Sequence, residues 1–347
     1  MSRLTRLLGI DVPVVLGPFG GLSSVALTAA VSEAGGLGSF GLYGYTPDRI
    51  AETVAALRAA TSRPIAVNLW LPRGDEVVPA EVDLRPHLDA HAGLFADAGA
   101  EVPVPPSAFL PDVEAQLDAV LEARPDVLSV VFGIPDAATL SRARDRGIRV
   151  VGTATSVAEA VALDEAGVDA IVATGAEAGG HRVSFLREPE RSLVGTFALV
   201  PQVVDAVSAP VIAAGGVADR RGVAAALALG ADGVQVGTAF LRTRESAATD
   251  AHRAALTAAA DTDTVLTRAM SGRLARGIPN RALREIEASG MIAPFPAQNW
   301  LTGVFRAAAT AAGDGDLLSL WAGQAAGLAR RETAAEVMAE LRAGLPS

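Results

Sequence analysis

Cysteine and lysine are both missing from this 347-residue chain. Without cysteine there are no disulfides, thiolate-bound metals, iron–sulfur clusters or cysteine nucleophiles. Without lysine there is no Schiff-base chemistry, and cationic contacts fall to arginine. Aromatic residues are scarce at 4%, which leaves few platforms on which nucleobases stack. Positive charge is also short. The net charge of −10 and a pI of about 5.0 argue against nucleic acid or an anionic membrane as a partner. Long apolar runs are lacking despite a mean hydropathy of +0.34. The longest, over residues 197–215, is broken by Pro201, Asp205 and Pro210 and reads as helix, loop and strand, not a membrane span. Asp11 and Pro13 interrupt the segment after Arg3 and Arg6, so no secretory leader is expected and the cytoplasm is the expected location.

Half the residues are hydrophobic, enough to bury a large core. Strand-like apolar runs alternate with alanine-rich helical patterns. The strands are expected at 12–17, 38–42, 64–70, 127–132, 149–153, 169–172, 210–214 and 233–236. Helices are expected between them at 23–34, 47–60, 113–123, 137–146, 157–166, 197–207 and 220–229, with Pro47 in a first turn. A weak repeat of helix, glycine and strand recurs at Gly35, Gly147, Gly167 and Gly230, each glycine where a helix C-cap needs positive φ. Eight β/α units within residues 1–243 fit a (β/α)8 TIM barrel of the α/β class. An open doubly wound sheet would need a G-x-G-x-x-G turn after the first strand, and there is none. Residues 71–111 read as an irregular insertion. Residues 244–330 read as a smaller helical lid without strands (helices 245–260, 281–289 and 303–312), and 331–347 as a C-terminal helix returning to the barrel.

Barrel active sites lie beyond the carboxyl ends of the strands, with phosphate commonly bound after strands seven and eight. Strand seven runs into Ala213-Ala214-Gly215-Gly216-Val217, and strand eight into Gln235-Val236-Gly237-Thr238-Ala239. Glycine amides and a threonine hydroxyl hold phosphate without lysine. Either turn alone is an ordinary tight turn; the two together point to a phosphate-bearing cofactor. Strand one ends in Gly17-Pro18-Phe19-Gly20-Gly21. Asn68, near the end of strand three, either bonds the edge of a heterocycle or faces solvent.

The sixth strand opens into Thr174-Gly175-Ala176-Glu177-Ala178-Gly179-Gly180-His181-Arg182. Glycines let a ligand approach the backbone closely, and histidine moves protons near neutral pH. His181 is therefore the candidate catalytic residue. Glu177 either partners His181, orients a backbone or caps a helix. His87 and His91 have the i, i+4 spacing of a metal pair but no third ligand, so they read as a solvated helix face, and His252 reads as surface. No metal is expected.

These stretches, together with Pro64-Ile65-Ala66-Val67-Asn68-Leu69-Trp70, Ser271-Gly272-Arg273-Leu274-Ala275-Arg276-Gly277 and Trp321-Ala322-Gly323-Gln324, resemble the nitronate monooxygenase family over nearly the whole chain. The resemblance implies an FMN barrel with a smaller substrate-side domain and His181 as catalytic base. It implies FMN contacts from Asn68, Thr174, Gly179, Gly216 and the run Gln235, Val236, Gly237 and Thr238, with Gly20, Gly21, Gly180 and Gly215 alongside. The implied reaction is flavin-mediated oxidation of an alkyl nitronate or nitroalkane by dioxygen, giving a carbonyl compound and nitrite. The partners are then a small-molecule substrate and dioxygen, and a homodimer is the expected assembly.

Three departures mark this chain. Thr174 replaces a common glutamine, Val131 stands where many relatives have a second histidine, and Phe295 and Asn299 stand where many have tyrosines. With Ser271 and Arg273, the last three make up the expected substrate pocket, which is less polar than the family pattern and suits a bulkier substrate. The alternatives are an FMN-dependent NAD(P)H reductase similar to the enoyl-acyl-carrier-protein reductases, or a divergent flavin oxidase.

Overall fold

The computed structural model describes residues 2–346. Eight parallel strands form the centre: β1 (Val14–Leu16), β2 (Gly38–Gly41), β3 (Ile65–Trp70), β4 (Val127–Val131), β5 (Arg149–Ala154), β6 (Ala170–Thr174), β7 (Val211–Ala214) and β8 (Gly233–Val236). They pair in the order β1-β8-β7-β6-β5-β4-β3-β2. Leu37, just before β2, bridges Val15: its amide donates to Val14 O and its carbonyl accepts from Leu16 N, each at 2.9 Å. That contact closes the ring into a TIM barrel. Every residue of β1, β2, β4, β6 and β7 is buried, as expected for parallel strands covered on both faces.

The helices between the strands begin where sequence capping signals place them. Thr46, Asp112, Asp136, Ser156 and Asp219 each accept a first-turn amide at a helix N-cap. The repeat glycines Gly35, Gly147, Gly167 and Gly230 all have positive φ. The repeat also carries aspartates with a structural task. Asp126, Asp169 and Asp232 accept the amides of Ile65, Val150 and Val211 at 2.8, 2.8 and 3.0 Å, tying adjacent strands at the amino-terminal end of the barrel.

Inside the barrel, Val15, Ala66, Val127, Val151, Ala170, Val172, Ile212 and Ala214 cluster with Leu4, Leu8 and Ile10. The helix Arg3–Leu8, which the sequence reading did not anticipate, thus plugs the barrel at the end away from the strand carboxyl termini. The final helix Ala334–Arg342 buries Val337, Met338 and Leu341 in the outer barrel core. A second core joins Leu84, Leu88, Leu94 and Phe95 to Met270, Leu283, Ile286, Leu301 and Phe305. No helix among the described residues is long and apolar enough to cross a membrane.

Three expectations need correction. The segment after Arg244 does contain strands: Val265–Thr267 and Ala275–Gly277 pair antiparallel, and the second pairs with Gly180–His181. Three-residue strands, one of them with Arg276 at its centre, are too short to carry an apolar alternation. The helix expected at 303–312 is Ala297–Ala312, starting directly after Pro296, and that expected at 245–260 is only Asp250–Ala258. His91 and His252 are buried, not solvated, and their Nε2 atoms pair with the carbonyls of Met291 (2.9 Å) and Trp321 (3.0 Å).

Candidate active site

The loop after β6 is fixed from beneath by a buried arginine. Arg182 donates to the carbonyls of Gly175 (2.6 Å), Thr174 (3.1 Å) and Ser192 (3.4 Å), and burial lowers its pKa to about 10. From the side, the Trp321-Ala322-Gly323-Gln324 segment interlocks with the same loop. Gln324 N donates to Glu177 O at 2.9 Å, and Gly323 N donates to Thr238 Oγ1 at 2.9 Å. A Cβ on Gly179 would lie 2.6 Å from Ala322 C and Gly323 N, so only glycine permits this approach.

Glu177 does not partner His181. Its carboxylate accepts from Thr196 N and Thr196 Oγ1 at 2.9 Å, capping the helix Thr196–Ala206, whose own N-cap is the side-chain-less Gly195. The backbone-orienting and capping readings of this acid are therefore both met.

His181 rides on the short strand that pairs with Ala275–Gly277, in register with Ala275. Its Nε2 lies 2.8 Å from Ser271 Oγ, and that hydroxyl donates onward to Arg273 O at 3.1 Å. With the hydroxyl proton so committed, Ser271 accepts from Nε2–H, and Nδ1, without a protein partner among the described residues, carries the lone pair. The rings of Trp70 and Trp321 stand 4.8 and 5.3 Å away. Burial, reinforced by the charges of Arg273 and Arg306, lowers the His181 pKa to about 3, so the imidazole is neutral near pH 7.

The strand ends surround a cavity of about 490 Å³. From the loop after β1 it receives Gly20 and Gly21, from β3 Asn68, and from β4 Val131. From β6 and its loop come Thr174, Gly179, Gly180 and His181; from the last two strands come Gly215, Gly216, Gln235, Gly237 and Thr238, and from the lid Asn299. Asn68 is buried, and its amide nitrogen donates to Ser129 Oγ at 2.8 Å, so the solvent-facing reading is excluded.

Four expected residues do not reach the wall. Val236, alternating with Gln235 along β8, turns outward into the core between the strands and the helices. Ser271 stands behind His181. Phe295 stacks behind Trp70 at 5.9 Å. Arg273 points away to Asp75 and Glu76, sandwiched over Phe132 (4.5 Å) and Phe295 (3.9 Å), beside a second cavity of about 270 Å³. Sequence reasoning missed Tyr43, Arg306 and Trp321 as wall residues. Trp321 sits in a stretch already marked by resemblance, but Tyr43 and Arg306 carry no local signal.

The amides of Gly216, Gly237 and Thr238 donate to no protein acceptor among the described residues. Open donors beside a neutral histidine, on one cavity at the strand ends, define a barrel enzyme. The comparisons narrow the class. Residues 1–344 match the family described as nitronate monooxygenase. The chain is 39% identical over 343 residues to a probable nitronate monooxygenase of Staphylococcus aureus (strain Newman), covering 98% of this chain and 96% of that one. Among solved structures, nitroalkane oxidase from Streptomyces ansochromogenes superposes with a TM-score of 0.89 at 38% identity, covering 98% and 96% of the two chains. FabK from Thermotoga maritima gives 0.76 at 31% identity, covering 98% and 94%. The chain belongs to the nitronate monooxygenase family and is an oxidoreductase.

Proposed function

We propose that the protein binds FMN and oxidises an alkyl nitronate with dioxygen to a carbonyl compound and nitrite. The observation that carries this reading is the pairing, on one cavity, of unsatisfied backbone amides with a neutral histidine whose Nδ1 is uncommitted. The donor set fits FMN. The open amides of Gly216, Gly237 and Thr238 suit its phosphate in a chain without lysine. Asn68, Thr174 and Gln235 offer polar atoms to the edge of its ring, and the cavity lies in the size range of cofactor sites. When bound, FMN supplies the electron-accepting chemistry that no side chain here provides.

The chain's own residues then handle the anion and the proton. Among the described residues Glu177 is the one carboxylate on the cavity wall, and it is committed to Thr196. His181 is left as the proton-handling group. The low proton affinity of its imidazole makes it a weak base toward a neutral nitroalkane, while a nitronate has already lost that proton. Trp70 and Trp321 flank the ring. Ethyl nitronate is thus expected to be the better substrate, with nitroethane far slower.

The test is the visible spectrum of the purified protein, followed by anaerobic mixing with ethyl nitronate and, separately, with NADH and NADPH. A yellow protein bleached by the nitronate, with nitrite formed in air, is the expected result. A colourless protein that takes up no FMN, or bleaching by the nicotinamides alone, overturns the proposal.

A further inference from the structure

Arg306, on the helix Ala297–Ala312, borders the same cavity and has no task in the reaction as described. Its guanidinium is held but not neutralised. Nη2 donates to Asn299 O (3.0 Å) and Asn299 Oδ1 (2.9 Å), and Nη1 donates to Ser319 Oγ (3.1 Å). The buried Nε has no partner. Asn299 in turn donates to Tyr43 Oη at 3.1 Å, so the whole network is neutral apart from Arg306 itself.

The other enclosed arginines are compensated. Arg273 has Asp75 and Glu76, and the Glu177 carboxylate acts on both Arg182 and Arg276. Arg306 forms no ion pair among the described residues, and the charges acting on it include no carboxylate. A desolvated cation with only neutral partners is destabilising until an anion joins it. Arg306 lines the cavity that His181 also lines.

We propose that Arg306 is the substrate's anion receptor, its charge and the Nη1 N–H left over by Ser319 holding one oxygen of a planar monoanion at the cavity wall. A guanidinium fork pinned by neutral partners on its other N–H groups holds its charge in one place, which a freely rotating ammonium does not. Under the reading above the anion is the nitronate group itself or a carboxylate elsewhere on the same substrate; receptor function as such requires neither FMN nor turnover. Asn299 and Ser319 position the fork, and Tyr43 fixes Asn299.

The test titrates the purified holoenzyme with nitrate, an inert planar monoanion, by calorimetry, and measures KM for ethyl nitronate. Arg306→Met is expected to raise both the nitrate Kd and the KM at least ~30-fold, with kcat changed far less. Arg306→Lys keeps the charge without the fork and is expected to fall between. Thermal melting reports whether the variants fold; with the uncompensated charge removed, Arg306→Met is expected to melt no lower than the wild type. A nitronate bearing a terminal carboxylate, compared with its methyl ester, separates the two sources. A KM rise for the carboxylate alone assigns the tail, and a rise for ethyl nitronate assigns the nitronate oxygens. Unchanged nitrate Kd and KM in a folded Arg306→Met overturn the proposal while leaving nitronate oxidation intact. Wild-type protein that binds nitrate through Arg306 yet oxidises no nitronate overturns the functional reading and leaves the receptor.

Discussion

Lowering the pH from 7.5 to 5.0 should destabilise this protein through His181, by an amount its burial sets. The imidazole is set into the cavity wall between Trp70 and Trp321, and desolvation, with the nearby charges of Arg273 and Arg306, lowers its pKa to about 3. In the unfolded chain a histidine titrates near ~6.5. Below that pH the unfolded state takes up a proton that the native state refuses, so stability falls as pH falls, down to about 3. Across pH 7.5 to 5.0 the difference amounts to about 2 kcal/mol. His181→Asn removes it. His91 and His252, also buried with lowered pKa values, contribute equally to both proteins and cancel. Urea unfolding of the two proteins at several pH values reads the difference. With a slope of ~3 kcal/mol per molar, the wild-type midpoint should fall about 0.7 M further than the variant's. Equal losses, or a His181 NMR resonance titrating near 6.5, would show that the imidazole is not held neutral by its surroundings.

Other consequences are open to measurement. Ser271→Ala deletes the acceptor of His181 Nε2–H and frees the tautomer; kcat/KM for ethyl nitronate should drop ~10-fold with the fold intact by circular dichroism. Glu177→Ala leaves Thr196 N and the start of its helix without their carboxylate, and denaturant titration should show a loss of ~2 kcal/mol. Gly179→Ala drives a methyl into the Ala322–Gly323 backbone; flavin content after purification should fall, together with ~1–3 kcal/mol of stability.

The barrel was legible because most strands are largely apolar runs ended by glycine or proline, and most of the helices between them begin at a capping side chain. Boundaries such as Val113–Ala123 and Val157–Ala166 follow directly from Asp112 and Ser156. The cavity's glycine loops were legible for the same reason, since they terminate strands. The small sheet around Ala275–Gly277 was not, because its three residues pair with partners distant in the chain. Nor were the burial of His91 and His252, each set by a single backbone carbonyl across the fold. Arg273 and Arg306 look alike in sequence. Only the presence of Asp75 and Glu76 beside the first, and their absence beside the second, separates a structural cation from an unsatisfied one.

The interlock between the loop bearing His181 and the segment Trp321-Ala322-Gly323-Gln324 bears on how the protein matures. All eight strands leave the ribosome before Gly323 does, so a barrel core is able to gather early around the Arg3–Leu8 plug. The partners that brace Glu177 O and Thr238 Oγ1 are made only after the last barrel strand. Competence therefore arrives after compactness: a nascent barrel has its glycine turns but not the brace that sets their spacing. Cofactor capture should follow synthesis of that segment, and a chain ending before Trp321 should stay compact yet colourless.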